Sequence, residues 1–347
     1  MEEMDCTGPH GPGHTAIGTR PAIGHTPLVP VALLAAGTMR TLWLKLEGLN
    51  AYGSIKARTA RSLLEALEHA GQARPGGAIV ESTSGNLGVA LAGMCQRRGY
   101  ECTLVVDADT PDRSRNLMAA HGAEVILVSR APGRNLVDER LAVVARLLTQ
   151  RPGLAWTDQY ASPANPGVHR RSTAPELVSG LDDTPPDAVV AAVSTGGTLA
   201  GLSEYFRRSY PLTRVVAVDA VGSVATGGSL RPRPFKVPGF GSGRASAFLR
   251  PQHWDRRLQL HDVQAMWACR VLYAGTDLML GGSAGAAVLG AVVAALDDSS
   301  LRDICVVCPD MGDSYMSTIY SNRCPEPPEA SPIQREALAA LESACRL

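Results

Sequence analysis

A lysine behind a Gly-Ser turn and three glycine-rich turns could carry chemistry in this chain. Lys56 closes the run Asn50-Ala51-Tyr52-Gly53-Ser54-Ile55-Lys56 and is flanked by Ile55 and Ala57, which would aim it at a partly dry cleft. Desolvation lowers an amine's pKa and makes it usable as a nucleophile toward an aldehyde or as a proton carrier. Taken alone, Lys56 is also one of 33 basic residues, most of them simply solvated. The first turn, Ser82-Thr83-Ser84-Gly85-Asn86-Leu87-Gly88, follows AIVE and precedes a helical pattern. Its backbone N–H groups and its hydroxyl and amide side chains offer neutral donors for a carboxylate. The second, Ser194-Thr195-Gly196-Gly197-Thr198, lies between DAVVAAV and LAGLSEYFRRS. Hydroxyls and N–H groups at a helix start suit one phosphate monoester, and the missing G-K-[ST] argues against a nucleotide triphosphate. The third, Gly281-Gly282-Ser283-Ala284-Gly285, puts the Ser283 hydroxyl ahead of AAVLGAVVAAL. Each turn read singly is equally a plain helix N-cap. An amine, a monophosphate cradle, a carboxylate cradle and a hydroxyl cap together describe a site for pyridoxal phosphate.

These features need strands and helices to position them. Apolar, β-branched runs predict strands at Ala78–Val80, Cys102–Asp107, Glu124–Ser129, Asp187–Ser194, Val215–Asp219 and Ile304–Val307. Between them lie segments such as IKARTARSLLEALEHAG, where Ala60, Leu63, Leu64 and Leu67 mark one buried helix face. Alternation of this kind predicts an α/β fold with mostly parallel sheets covered on both faces. Arg151–Pro166 and Val221–Ala247 read as irregular stretches, and PEPPEASP after Cys324 reads as a linker before a short tail helix. The start, MEEMDCTGPHGPGH, reads as a flexible leader without the pattern of a signal peptide.

Composition narrows the function classes. A hydrophobic share of 45% against 19% charged residues fits a folded, soluble chain of 347 residues. Lys+Arg 33 balances Asp+Glu 33, so no overall positive field favours nucleic acid. The longest apolar run is too short for a membrane span. Eight scattered cysteines read as reduced thiols of a cytoplasmic protein. Cys305 and Cys308 form C-x-x-C, but without a second Cys/His pair they read as part of a buried strand, and no metal site is expected.

The order of motifs resembles the fold-type II pyridoxal phosphate enzymes, in particular the cysteine synthase and cystathionine β-synthase group. LEGLNAYGSIKAR is similar to that family's lysine motif, STSGNLG to its T-S-G-N-T-G loop and STGGT to its G-T-G-G-T phosphate loop. GHTPLVP, PGFGSG, GGSAG and DMGDSYMST also have counterparts in order, so the likeness covers roughly Ile23 to Tyr320. It implies a two-lobed, tryptophan synthase β-like fold with the cofactor between the lobes. The larger lobe would comprise residues 16–42 and 163–323, the smaller 43–162, with a leader at 1–15 and a tail at 324–347. It also implies that Lys56 binds pyridoxal 5'-phosphate as an internal aldimine and shuttles the α-proton. Asn86 would meet the ring hydroxyl, while Thr83, Ser84 and Gly85 would grip the substrate carboxylate. Ser194, Thr195, Gly196, Gly197 and Thr198 would hold the phosphate. Ser283 would face the pyridine nitrogen, where a neutral group makes a weaker electron sink suited to β-elimination.

Departures from the family bear on the substrate. Ala51 replaces a proline, and Ala57 replaces an aspartate that would pair with Arg58. Tyr160 and Ser194 stand where cysteine synthases have phenylalanine and glycine, which adds two hydroxyls. The likeness is then to the branch that makes 2,3-diaminopropionate precursors for siderophores and antibiotics. The expected reaction takes O-phospho-L-serine (or O-acetyl-L-serine) to aminoacrylate and adds the amine of L-glutamate, giving N-(1-amino-1-carboxy-2-ethyl)-glutamate. Arg244 is the candidate cation for a substrate phosphate or carboxylate. A homodimer acting on small amino acids is expected, without nucleic-acid or membrane partners. Cysteine synthase using sulfide is the alternative, and a catalytically silent binding or sensor protein is an alternative of another class.

Overall fold

The computed structural model describes residues 22–129, 135–228, 237–322, 324 and 332–344. The expected leader and most of the expected linker lie outside these residues. The chain begins with strands β1 (Leu28–Ala35) and β2 (Thr38–Leu46), then helix α1 (Lys56–His69), β3 (Ala78–Ser82) and α2 (Asn86–Arg98). There follow β4 (Glu101–Asp107), α3 (Asp112–Ala120), β5 (Glu124–Val128), α4 (Leu136–Gln150), β6 (Leu154–Trp156), α5 (Ala164–Val168) and α6 (Ala174–Ser179). The remainder is β7 (Ala188–Ala192), α7 (Gly197–Ser209), β8 (Arg214–Ala220), β9 (Arg256–Leu260), α8 (Asp262–Thr276), α9 (Gly282–Asp297), β10 (Asp303–Cys308) and α10 (Pro332–Ala344).

The strands form two sheets, as the α/β reading required. A six-stranded sheet runs β1-β2-β10-β7-β8-β9, and a four-stranded one runs β5-β4-β3-β6. All neighbours are parallel except the β1–β2 hairpin. Helices cover both faces of each sheet, which is why the central strands are apolar without alternation. In the larger sheet Val190 and Val216 face α8 and α9, while Val189 and Val215 face α7. Burying such a valine contributes roughly 1.5–3 kcal/mol. Helix α9 is buried almost all round, so its Ala- and Gly-rich sequence is that of a core helix. Helix α10 sets Ala337, Leu338 and Leu341 into the same core. In the smaller sheet Ile79 and Leu104 pack toward α1 and α2, and Val80 and Val105 toward α4.

Four strands had no clear signal in the sequence. The β1–β2 hairpin turns through Ala36 and Gly37 at φ +48° and +69°, a job usually given to Asn-Gly. Strand β6 has three residues and sits inside the stretch read as irregular. Strand β9, RRLQL, is a polar edge strand. No described helix is long and apolar enough to cross a membrane. Cys305 and Cys308 are both buried in β10.

Candidate active site

The carboxyl ends of β3, β7 and β10 meet in one cleft, and the three glycine-rich turns leave from two of these strands and from the start of α9. Lys56 reaches this cleft because the segment before it is fastened from both sides. Ser54 pairs with Asp310 across an isolated antiparallel bridge, and the Ile55 N–H donates to the Pro309 carbonyl at 2.8 Å. Tyr52 takes φ +65°, and its ring lies where a Cβ on Gly93 would be, closing the turn onto α2. Lys56 then opens α1, and burial holds its pKa down to about 8.

Below Lys56 the motif residues form a charge network. Arg58, fully buried, donates to both oxygens of Glu47 at 2.7 Å and to both of Glu176 at 2.6 Å. Lys45 joins Glu176 at 2.8 Å, while Thr26 and Asn50 donate to Glu47. The alanine at position 57 therefore does not leave Arg58 unpaired, because two glutamates outside the motif's aspartate position hold it. Arg58 and Lys45 together hold the Glu176 carboxyl down to about 2 against the opposing effect of burial.

The turn after β3 passes through Gly85 at φ +150°, ψ −98°, a conformation essentially confined to glycine. The Thr83 hydroxyl accepts from the N–H groups of Gly85 and Gly88 at 3.2 and 3.1 Å, which caps α2 and leaves its own proton to donate. Ser84 is exposed at the rim, and Asn86 begins α2 within the cleft. The turn after β7 enters α7 through Gly196 at φ +91°. Ser194, Thr195, Gly196 and Thr198 line the cleft, whereas Gly197 faces away, where a Cβ would fall 2.1 Å from Asn165 Oδ1. The Thr195 carbonyl accepts from Ser246 at 2.6 Å. A π-helical turn at His169–Thr173 brings His169 Nε2 within 3.4 Å of the hydroxyls of Thr59 and Thr198. Burial, aided by Lys56 and Arg58, holds His169 well below the usual imidazole range, so it buttresses the turn as a neutral ring. Ser283, in the first turn of α9, completes the wall.

Tyr160 also lines the cleft. Its hydroxyl lies 3.5 Å from Nη2 of Arg140, a buried guanidinium whose Nη1 is 3.1 Å from Asp107 Oδ2. Arg140 was not apparent as a functional residue, since it sits in an amphipathic helix like any solvated arginine. The loop bearing Tyr160 is tied to the Thr83 turn by Glu81, which accepts from the Thr157 hydroxyl and from the N–H groups of Ser82 and Gln159. Burial pushes the Glu81 carboxyl up to about 7. Arg244 does not line the cleft. Its guanidinium pairs with Asp138 at 3.6 Å, and both side chains are half-exposed.

Asp310 and Tyr315, in DMGDSYMST, also reach the cleft, and nothing in their sequence surroundings marks them for a role there. Asp310 Oδ2 accepts from Asn86 Nδ2 at 2.9 Å and from the Tyr315 hydroxyl at 2.8 Å. Its Oδ1 is buried without a hydrogen-bond partner among the described residues. An amine of lowered pKa, a helix N-terminus rich in hydroxyls and an amide-and-hydroxyl wall between them fit the aldehyde, phosphate and ring of pyridoxal phosphate.

Comparison with known proteins agrees with this geometry. The pyridoxal-phosphate dependent enzyme family matches residues 19–310. The N-(2-amino-2-carboxyethyl)-L-glutamate synthase of Ralstonia nicotianae is 37% identical over 306 residues, covering 86% of this chain and 88% of the relative. A cysteine synthase of Staphylococcus aureus is 33% identical over 301 residues, covering 86% of this chain and 95% of the relative. Among solved structures, an O-ureido-L-serine synthase superimposes with a TM-score of 0.77 at 28% identity, covering 89% of this chain and 95% of its own. An O-acetylserine dependent cystathionine β-synthase from Helicobacter pylori also gives 0.77 at 28% identity, covering 85% and 95%.

Proposed function

Because this chain belongs to the pyridoxal-phosphate dependent enzyme family, we propose that it replaces the β-substituent of O-phospho-L-serine with the amine of L-glutamate. The product would be N-(1-amino-1-carboxy-2-ethyl)-glutamate. O-Acetyl-L-serine is the alternative donor. The observation that carries this reading is the Tyr160 hydroxyl, backed by the buried guanidinium of Arg140 and lining the same cleft as Ser194. Sulfide needs no such polar surface, whereas a phosphate-bearing donor or a dicarboxylic amine does. The likeness to a synthase named for the same kind of product supports it.

Pyridoxal phosphate, when bound, supplies an electron sink for loss of the α-proton and the β-substituent. The residues around it do the positioning. Lys56, with its pKa near 8, has a neutral fraction at physiological pH that can bind the aldehyde and carry the α-proton. Ser194, Thr195, Gly196 and Thr198 hold the phosphate at the start of α7, with Gly197 keeping the turn close to Asn165. Asn86 faces the ring hydroxyl and Ser283 the ring nitrogen. Thr83, Ser84 and Gly85 take the substrate carboxylate at the start of α2. Tyr160, backed by Arg140, takes a carboxylate of the incoming glutamate. Arg244, outside the cleft wall, would reach a second substrate's carboxylate only by leaving Asp138.

The test is mass spectrometry of products from O-phosphoserine offered glutamate and sulfide in separate and mixed reactions. The glutamate adduct should form faster. Faster cysteine formation would make the enzyme a cysteine synthase, the reading that the Staphylococcus aureus relative favours.

A further inference from the structure

Asp310 follows the carboxyl end of β10, on the larger sheet, and touches Asn86 at the start of α2, which packs on the smaller one. Asparagine carries a donor and an acceptor at the two ends of one amide, so its neighbours decide which end faces where. An ionised carboxylate only accepts. Asp310 therefore admits Nδ2 of Asn86 and repels Oδ1, and the distance of 2.9 Å is that of a charge-assisted hydrogen bond. The Tyr315 hydroxyl donates its single proton to the same oxygen and holds the carboxylate from behind. Gly281 makes room for the other oxygen, since a Cβ there would fall 1.9 Å from Oδ1.

We propose that Asp310 is a positioning residue that fixes the Asn86 amide so that an N–H, not the carbonyl, is presented to the ring hydroxyl oxygen of pyridoxal phosphate. This rests on the reading that Asn86 faces that oxygen. Nδ2 has two hydrogens: one is taken by Asp310, and the second remains to point into the cleft. A donor at that place favours the ionised ring oxygen, whereas a carbonyl would oppose it. Burial raises the Asp310 carboxyl to about 6, and the hydrogen bonds from Tyr315 and Asn86 oppose that rise, so the group is largely ionised at neutral pH. The phenols of Tyr315 and Tyr320 and the thiols of Cys269 and Cys308 face the same region, and burial pushes all four up, so they stay neutral beside it.

The experiment compares the visible absorption of the cofactor-loaded enzyme as pH is varied, and its cofactor dissociation constant, in Asn86→Ala, Asp310→Ala, the double variant and Asp310→Asn. Asn86→Ala should shift the spectral transition, and Asp310→Ala should shift it in the same direction while weakening cofactor binding roughly tenfold. The double variant should add nothing to Asn86→Ala, because the two act as one unit. Asp310→Asn, which keeps an acceptor, should restore at least half of the shift. A wild-type spectrum and affinity in Asp310→Ala, with Asn86→Ala shifted, would overturn the role of Asp310 alone. An unshifted Asn86→Ala would instead overturn the placement of Asn86 on which it rests. Should Asp310→Ala fail to fold, Asp310→Ser, too short to reach Asn86, must show the same shift or the proposal falls.

Discussion

Beneath Lys56, Arg58 spends its donors on Glu47 and Glu176, and Lys45, Thr26 and Asn50 donate to further lone pairs of the same carboxylate oxygens. Arg140 is as deeply buried, yet it has one close approach to Asp107 and a long contact with Tyr160, and among the described residues its Nε and Nη1 have no hydrogen-bond partner. The two arginines sit in equally dry surroundings and differ only in how completely they are paired. A buried donor left without a partner costs free energy, so a fold keeps one where something else can complete it. The saturated cluster is scaffolding for the amine. The unsaturated one lies behind Tyr160, which lines the cleft.

Breaking the saturated cluster should have the largest effect. Arg58→Ala strands two carboxylates among buried groups and should lower the free energy of unfolding by about 3–5 kcal/mol, read by denaturant titration of the apoprotein. A loss below about 1 kcal/mol would mean that the network is not structural.

The Glu81 clip offers an intermediate effect with a sign. Its folded pKa of about 7 lies above the ordinary 4.5, so the folded state holds this proton more tightly than the unfolded chain. The resulting stability is fully present below 4.5 and is lost as pH rises through about 7. Measured against Glu81→Gln across that window, the wild type should lose up to about 3 kcal/mol relative to the variant. Parallel stability curves would show Glu81 to be ionised throughout.

The smallest change tests the unsaturated side. Tyr160→Phe should alter stability by less than about 1 kcal/mol. It should also lower kcat/KM for the amine reaction about tenfold, the cost of one good hydrogen bond, while sparing the reaction with sulfide. Equal losses with both nucleophiles would remove Tyr160 from substrate choice.

Much of this was legible beforehand, and the rest was hidden for physical reasons. Strands β3, β4, β7, β8 and β10 announce themselves because both faces are covered and every position must be apolar. The glycine turns stand out because Gly85 and Gly196 occupy backbone conformations that side chains avoid. The β1–β2 hairpin was silent because Ala-Gly is a weak turn signal, and β9 because an edge strand can be polar. Arg140 and Asp310 were silent for another reason. Their importance lies in what they touch across a long sequence separation, as Asp310 does with Asn86. The pairing of Arg58 with Glu176 was hidden in the same way. Arg244 is the converse case: a basic residue in a glycine-rich loop suggests a cation for the cleft, and its pairing with Asp138 is not legible in the sequence.

The seam at Ser54 and Ile55 has one more consequence. These residues stitch the segment leading into Lys56 to Pro309 and Asp310, directly past the end of β10. If the smaller sheet rocks against the larger, the stitch is the hinge line, and displacement grows with distance from it. Ser84 and Tyr160, on loops that leave the smaller sheet, would then move against the larger one when a substrate arrives, while the reactive nitrogen, next to the stitch, moves little.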